Sequence, residues 1–89
     1  MAYVFEITVS ASLEDSELTT RILDFKEDLH RECFRHDDVS VSDPAAVDSA
    51  LKPVTFTVNS KGGLARFTKL IKKSLILHRV EHAIQVRRS

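Results

Sequence analysis

Several groups of residues in this chain have types and spacings that chemistry can use. His30-x2-Cys33-x2-His36 and His78-x3-His82 carry the spacings of zinc ligands. Ser60-Lys61-Gly62-Gly63 stands ahead of a helical pattern, where free N–H groups and a close backbone approach suit an anion. Arg66, Lys69 and Lys73 are spaced i, i+3, i+7, one outward line of a helix, and Lys61, Lys72 and Arg79 add to its field. Such a line suits phosphate or an acidic protein surface. Asp24, Asp28 and Glu32 lie on an earlier, acidic helix.

Each group has a plainer explanation. Cys33 falls on an apolar helical stripe, where a small apolar residue is expected. With antiparallel helices, His30, Cys33 and His36 are expected at one end of the domain, and His78 and His82 at the other. No metal is therefore expected. The phosphate-loop pattern GxxxxGK[ST] and the dinucleotide pattern GxGxxG are both absent, and a tight turn at Lys61-Gly62-Gly63 explains the glycines without a ligand. There is no nucleophile elbow, and carboxylates on an exposed helix are not an acid/base pair. No catalytic residue, enzyme activity or cofactor is expected.

The elements that carry these residues follow from periodicity. Tyr3, Phe5, Ile7 and Val9 alternate with Val4, Glu6, Thr8 and Ser10, which predicts a strand with one buried face. From Ser12 to Cys33 the period changes. Leu18, Ile22, Phe25, Leu29 and Cys33 are spaced 4, 3, 4 and 4, one helical stripe. Ser12 is the expected N-cap, with Glu14, Asp15 and Glu17 in the first turn. Glu17–Arg21 and Glu27–Arg31 are expected i,i+4 pairs. Asp38 to Ser42 predicts a brief strand, and Asp43-Pro44 a helical start. The connection from 43 to 53 is long, so local structure or mobility is expected there. Val54, Phe56 and Val58 predict a strand. Leu64, Phe67, Ile71, Leu75 and His78 predict the inner stripe of a second helix, although Leu75-Ile76-Leu77 also fits the start of a strand. Ile84 and Val86 predict a closing strand.

The order β-α-β-β-α-β implies an α+β, ferredoxin-like sandwich. The expected sheet has four antiparallel strands in the order 4-1-3-2, with two helices on one face, as a single domain over residues 1–89. Many unrelated activities share that fold, so it decides little by itself. Ferredoxin-like metal carriers use a CxxC pair, absent here. RNA-binding domains of this architecture stack bases on aromatics of the central strands. Here the outward positions are Val4, Glu6, Thr8, Thr55, Thr57 and Asn59, none of them aromatic.

Composition narrows the classes further. Thirteen Lys/Arg balance thirteen Asp/Glu, but residues 1–44 carry a net −7 and residues 45–89 a net +7. The first turn of the acidic helix is expected near the basic end of the second, around Lys73 and Arg79. One cysteine excludes an intrachain disulfide. The opening stretch lacks a basic n-region, and no apolar run approaches the ~20 residues that cross a bilayer. A cytoplasmic location is expected. These readings converge on a small regulatory or adaptor module that binds another protein through Arg66, Lys69, Lys72 and Lys73, then Asp24, Asp28 and Glu32, or through its sheet face. A homodimer is a further expectation. The alternatives are non-specific nucleic-acid binding by the basic helix, and an anionic-ligand sensor at Lys61, Gly62 and Gly63.

Overall fold

The computed structural model describes residues 2–10 and 15–89. Four strands, β1 (Tyr3–Val9), β2 (Val39–Val41), β3 (Val54–Val58) and β4 (Ile84–Arg88), alternate with two helices, α1 (Ser16–Arg35) and α2 (Lys61–Leu77). All strand neighbours are antiparallel, in the order β2-β3-β1-β4. That is the expected 4-1-3-2 order read from the other edge, consistent with ferredoxin-like topology. Phe5, Ile7, Val54, Phe56 and Val58 share one face of the sheet and one core with Ile22, Phe25, Leu29, Phe67 and Ile71 of the helices. Phe67 meets the rings of Phe5 and Phe56 at centroid distances of 5.3 and 5.4 Å.

The element boundaries have local causes. Asp15 caps α1, its Oδ1 accepting from the backbone N–H groups of Glu17 at 2.9 Å and Leu18 at 3.3 Å. Such a cap contributes about 1 kcal/mol. The expected caps and charges at Ser12 and Glu14 lie outside the described residues. Arg21 pairs with Glu17 as expected, but Arg31 pairs with Asp28 rather than Glu27. Lys61, Gly62 and Gly63 are not the turn before α2. They form its first turn, and Ser60 is the N-cap, with Oγ accepting from the Gly63 N–H at 2.9 Å.

Leu75, Ile76 and Leu77 remain helical, and the helix closes just beyond them. Arg79 adopts φ 55°, the left-handed region. Its N–H donates to the Ile76 carbonyl and that of Val80 to the Leu75 carbonyl, the paired bonds of a Schellman motif. Buried Val80 anchors the reversal from inside.

The 43–53 connection is structured. Asp43 Oδ1 accepts from the Ala45 N–H, and Pro44–Asp48 form a short 3-10 helix. Beneath it lies Lys26, fully buried on α1. Lys26 Nζ donates to the carbonyls of Ala46 at 3.1 Å, Ser49 at 2.6 Å and Lys52 at 2.5 Å. An ammonium has three N–H groups, so all are satisfied. Burial pulls the Lys26 pKa below its ordinary value, and the carbonyls work against that pull by bonding the charged form.

Lys26→Met keeps an unbranched side chain, one atom shorter, and removes the donors. The Ala46 carbonyl retains the Ser49 N–H, but the carbonyls of Ser49 and Lys52 lose the Lys26 bond. Urea unfolding is expected to show a loss of roughly 3 kcal/mol. Amide exchange should accelerate first across residues 45–52.

Candidate functional site

The residues singled out on α2 divide into two sets. Arg66 turns back into the molecule. Its Nε donates to Glu32 Oε1 at 2.9 Å and its terminal nitrogen to Asp38 Oδ1 at 2.7 Å. Glu32 is buried and also meets His36 at 3.1 Å. Lys69, Lys72 and Lys73 are exposed, and no ion pair among the described residues engages them. On α1, Asp24 is exposed, whereas Asp28 is half-buried and meets both Arg31 and His78. Arg66, Asp28 and Glu32 are thus joined to neighbours inside the fold, and Lys69, Lys72, Lys73 and Asp24 face outward.

These contacts correct the expected charge layout. The interhelical bonds run from Asp28 and Glu32, in the second half of α1, to His78 and Arg66. No ion pair among the described residues links the first turn of α1 to Lys73 or Arg79. Instead, Asp15 caps its own helix and Glu17 pairs with Arg21. The order of the contacts confirms that the helices run antiparallel. They also bring His78 against α1 at Asp28, so it does not stand at the far end from His30.

Asp38 already stands at the start of α2, the position that would suit an anion. Its Oδ2 accepts from Ser60 Oγ at 2.5 Å, while Ser60 in turn caps the helix. The Ser60 hydroxyl, and after it the Arg66 guanidinium, hold the Asp38 carboxyl below its ordinary range. Gly63 is glycine because of this approach. A Cβ there would lie within 3.0 Å of Asp38 Oδ2, Ser60 Oγ and the Val58 side chain, whereas a Cβ at Gly62 would meet nothing. Neither glycine has a positive φ. The glycine pair signals a close approach at one position and nothing steric at the other.

Among the described residues no group of three or more His, Cys, Asp or Glu side chains is placed to hold a metal ion. His30 packs on the Phe34 ring with centroids 5.0 Å apart. Burial pushes the Cys33 thiol above its ordinary value, the opposite of what a nucleophile or metal ligand needs.

Periodicity did not reveal the apolar part of this surface. A groove of about 190 Å³ between the helices is lined by Arg31, Arg35, Leu70, Lys73, Ser74 and Leu77, with Asp28 and Glu32 at its base. A second recess on α1 is lined by Glu27, His30, Arg31 and Phe34, so Arg31 borders both. Phe34 is 77% exposed, and Ile76 and Leu77 are each 65% exposed. The available signal was that Phe34, Leu70 and Leu77 are apolar yet fall off the inner stripes.

Gly62→Ala and Gly63→Ala should move stability in opposite directions. Alanine favours a helix by about 1 kcal/mol over glycine, so Gly62→Ala is expected to raise the unfolding midpoint. Gly63→Ala should lower it, because the new methyl displaces the Asp38–Ser60 pair. Parallel thermal melts of the two variants check this.

No protein-family model matches the chain, and no curated protein matches it.

Proposed function

We propose that this chain is a small non-catalytic interaction module, a ferredoxin-like sandwich whose helix layer binds an acidic, partly apolar segment of another protein. The observation that carries this reading is the exposure of Phe34, Ile76 and Leu77 on the same helices as the outward cations Arg31, Arg35, Lys69 and Lys73. Scattered exposed apolar residues are ordinary. Here Leu77 lines a groove between the two helices together with Arg31, Arg35 and Lys73, and Phe34 lines an adjoining recess that shares Arg31. An amphipathic helix laid in such a groove buries its apolar face and sets carboxylates against the rim. The cations would steer the encounter, and the apolar contacts would slow release.

The exposed apolar residues favour a protein over nucleic acid on the same lysines. A free anion at Lys61, Gly62 and Gly63 loses support, because the Asp38 carboxylate already bonds Ser60 at that helix start. Among the described residues no helix is long and apolar enough to cross a membrane. A cytoplasmic, regulatory role is part of the proposal.

The test uses a labelled helical peptide with leucine on one face and glutamate on the other, a lysine counterpart, and a single-stranded oligonucleotide. The acidic peptide should bind, and Lys69→Glu with Lys73→Glu should weaken it roughly tenfold, mainly through slower association. The same variant should unfold at the wild-type midpoint. Preference for the oligonucleotide, with log K falling by several units per log unit of salt, would transfer the site to nucleic acid.

A further inference from the structure

The second edge of the sheet carries an inference that does not rest on the helix groove. Val4 and Ser89 exchange both backbone hydrogen bonds, at 3.2 and 3.0 Å, and the Ser10 N–H donates to the Ala83 carbonyl at 2.8 Å. The register continues between them through Glu6↔Arg87 and Thr8↔Gln85. In an antiparallel ladder the bonded pairs alternate. Ala83, Gln85, Arg87 and Ser89 therefore turn their backbone groups toward β1. Ile84, Val86 and Arg88 turn theirs outward, along an edge with which no other described strand pairs.

A cleft runs beside that edge. It has a volume of about 240 Å³, and its lining of Phe5, Thr68, Ile71, Lys72, Leu75 and Val86 is almost wholly apolar. Ile84 and Val86 point their side chains to this side of the sheet, where Ile84 is buried and Val86 packs against the core. A strand added to β4 would form its bonded pairs with Ile84, Val86 and Arg88. Directly opposed residues point to the same face. The incoming residue opposite Val86 would therefore set its side chain in the cleft.

Charge selects the occupant. Arg87, Arg88 and Lys72 are exposed around the edge, and Glu6 is the carboxylate across the register from Arg87. A second copy paired through its own β4 would bring the same three cations to the seam twice. Charged edges of this kind oppose self-pairing. We propose that β4 accepts an extended acidic segment of a partner protein as a fifth strand. An apolar side chain would enter the cleft opposite Val86, and carboxylates on the other face of the strand would stand against Arg87, with Arg88 and Lys72 adding to the positive field of the edge. This is strand addition, in which main-chain bonds supply affinity and the pocket supplies specificity.

The probe is a blocked eight-residue peptide of alternating valine and glutamate, with a valine–lysine peptide as control. Amide exchange is followed by NMR during titration. The expected result is saturable binding that slows exchange at the Val86 and Arg88 amides and leaves those of Gln85 and Arg87, already bonded, unchanged. The control peptide should bind at least tenfold more weakly. Arg87→Glu with Arg88→Glu should weaken the acidic peptide by tenfold or more, and Val86→Pro, which removes the outward N–H, should abolish the protection. The charge reversal lies on exposed side chains, so it remains a test if Val86→Pro fails to fold. Lys69→Glu with Lys73→Glu should leave this binding unchanged, which separates its failure from that of the helix groove. Equal binding of both peptides, protection confined to the helices, or a peptide-free dimer with the Val86 amide already protected would each overturn the proposal.

Discussion

A single carboxylate at the start of α2 ties together parts of the chain that share no helix or strand. Asp38 follows α1 and precedes β2. Its carbonyl accepts from the Asn59 N–H at 2.8 Å, its Oδ2 takes the Ser60 hydroxyl, and its Oδ1 takes Arg66. Arg66 then reaches Glu32 in the last turns of α1. The end of one helix, the entry to the edge strand and the start of the other helix are fixed by one connected polar cluster. Ser60 both donates to Asp38 and accepts from Gly63, so the helix cap and the cluster share an atom. The absence of a side chain at Gly63 is what admits the carboxylate. This arrangement supplies a negative charge at the positive end of α2 without a ligand.

Much of the fold was legible because it rests on period. The alternation Phe5, Ile7, then Val54, Phe56, Val58, and the stripe Leu18, Ile22, Phe25, Leu29, all became core. What escaped were features set by single long-range contacts. Lys26 is buried against carbonyls some 20 to 26 residues away, and nothing in its neighbours marks a lysine for the interior. Glycine is the expected residue for a reversed backbone, yet the reversal after α2 falls on Arg79 while both glycines lie in helical turns. Gly63 answers to Asp38, 25 residues earlier, and a single sequence does not display that pairing. The site was legible in its charges but not in their use. Spacing alone put Arg66 in line with Lys69 and Lys73, whereas Asp38 and Glu32 draw Arg66 inward.

That partition bears on function. Asp28, Glu32 and Arg66 pair within the fold, so part of the opposition between the two halves of the chain is internal. Of the remaining cations, Arg31, Arg35 and Lys73 line the groove between the helices, and Lys72, Arg87 and Arg88 stand around the outer edge of β4. Both places join positive charge to apolar surface, the first at Leu70, Leu77 and Phe34 and the second at the cleft under Val86. The two surfaces lie on different parts of the molecule, and each fits an acidic segment in a different conformation, helical in the groove and extended at the edge. A module with both could hold two segments of one partner and gain from their linkage.

Arg66 belongs to the fold and Lys69 to the surface. Urea unfolding of wild type, Arg66→Gln and Lys69→Gln between pH 3 and pH 7 tests it directly. The Asp38 carboxyl is held below its ordinary value of 3.8. Its stabilising contribution is therefore present above that value and fades as pH falls through the lowered one. Lys69→Gln should follow wild type at every pH. Arg66→Gln should be less stable at neutral pH, and the difference should narrow in acid as Asp38 takes up its proton. Equal stability of the two variants at neutral pH, or a gap for Arg66→Gln that stays constant into acid, would contradict the account.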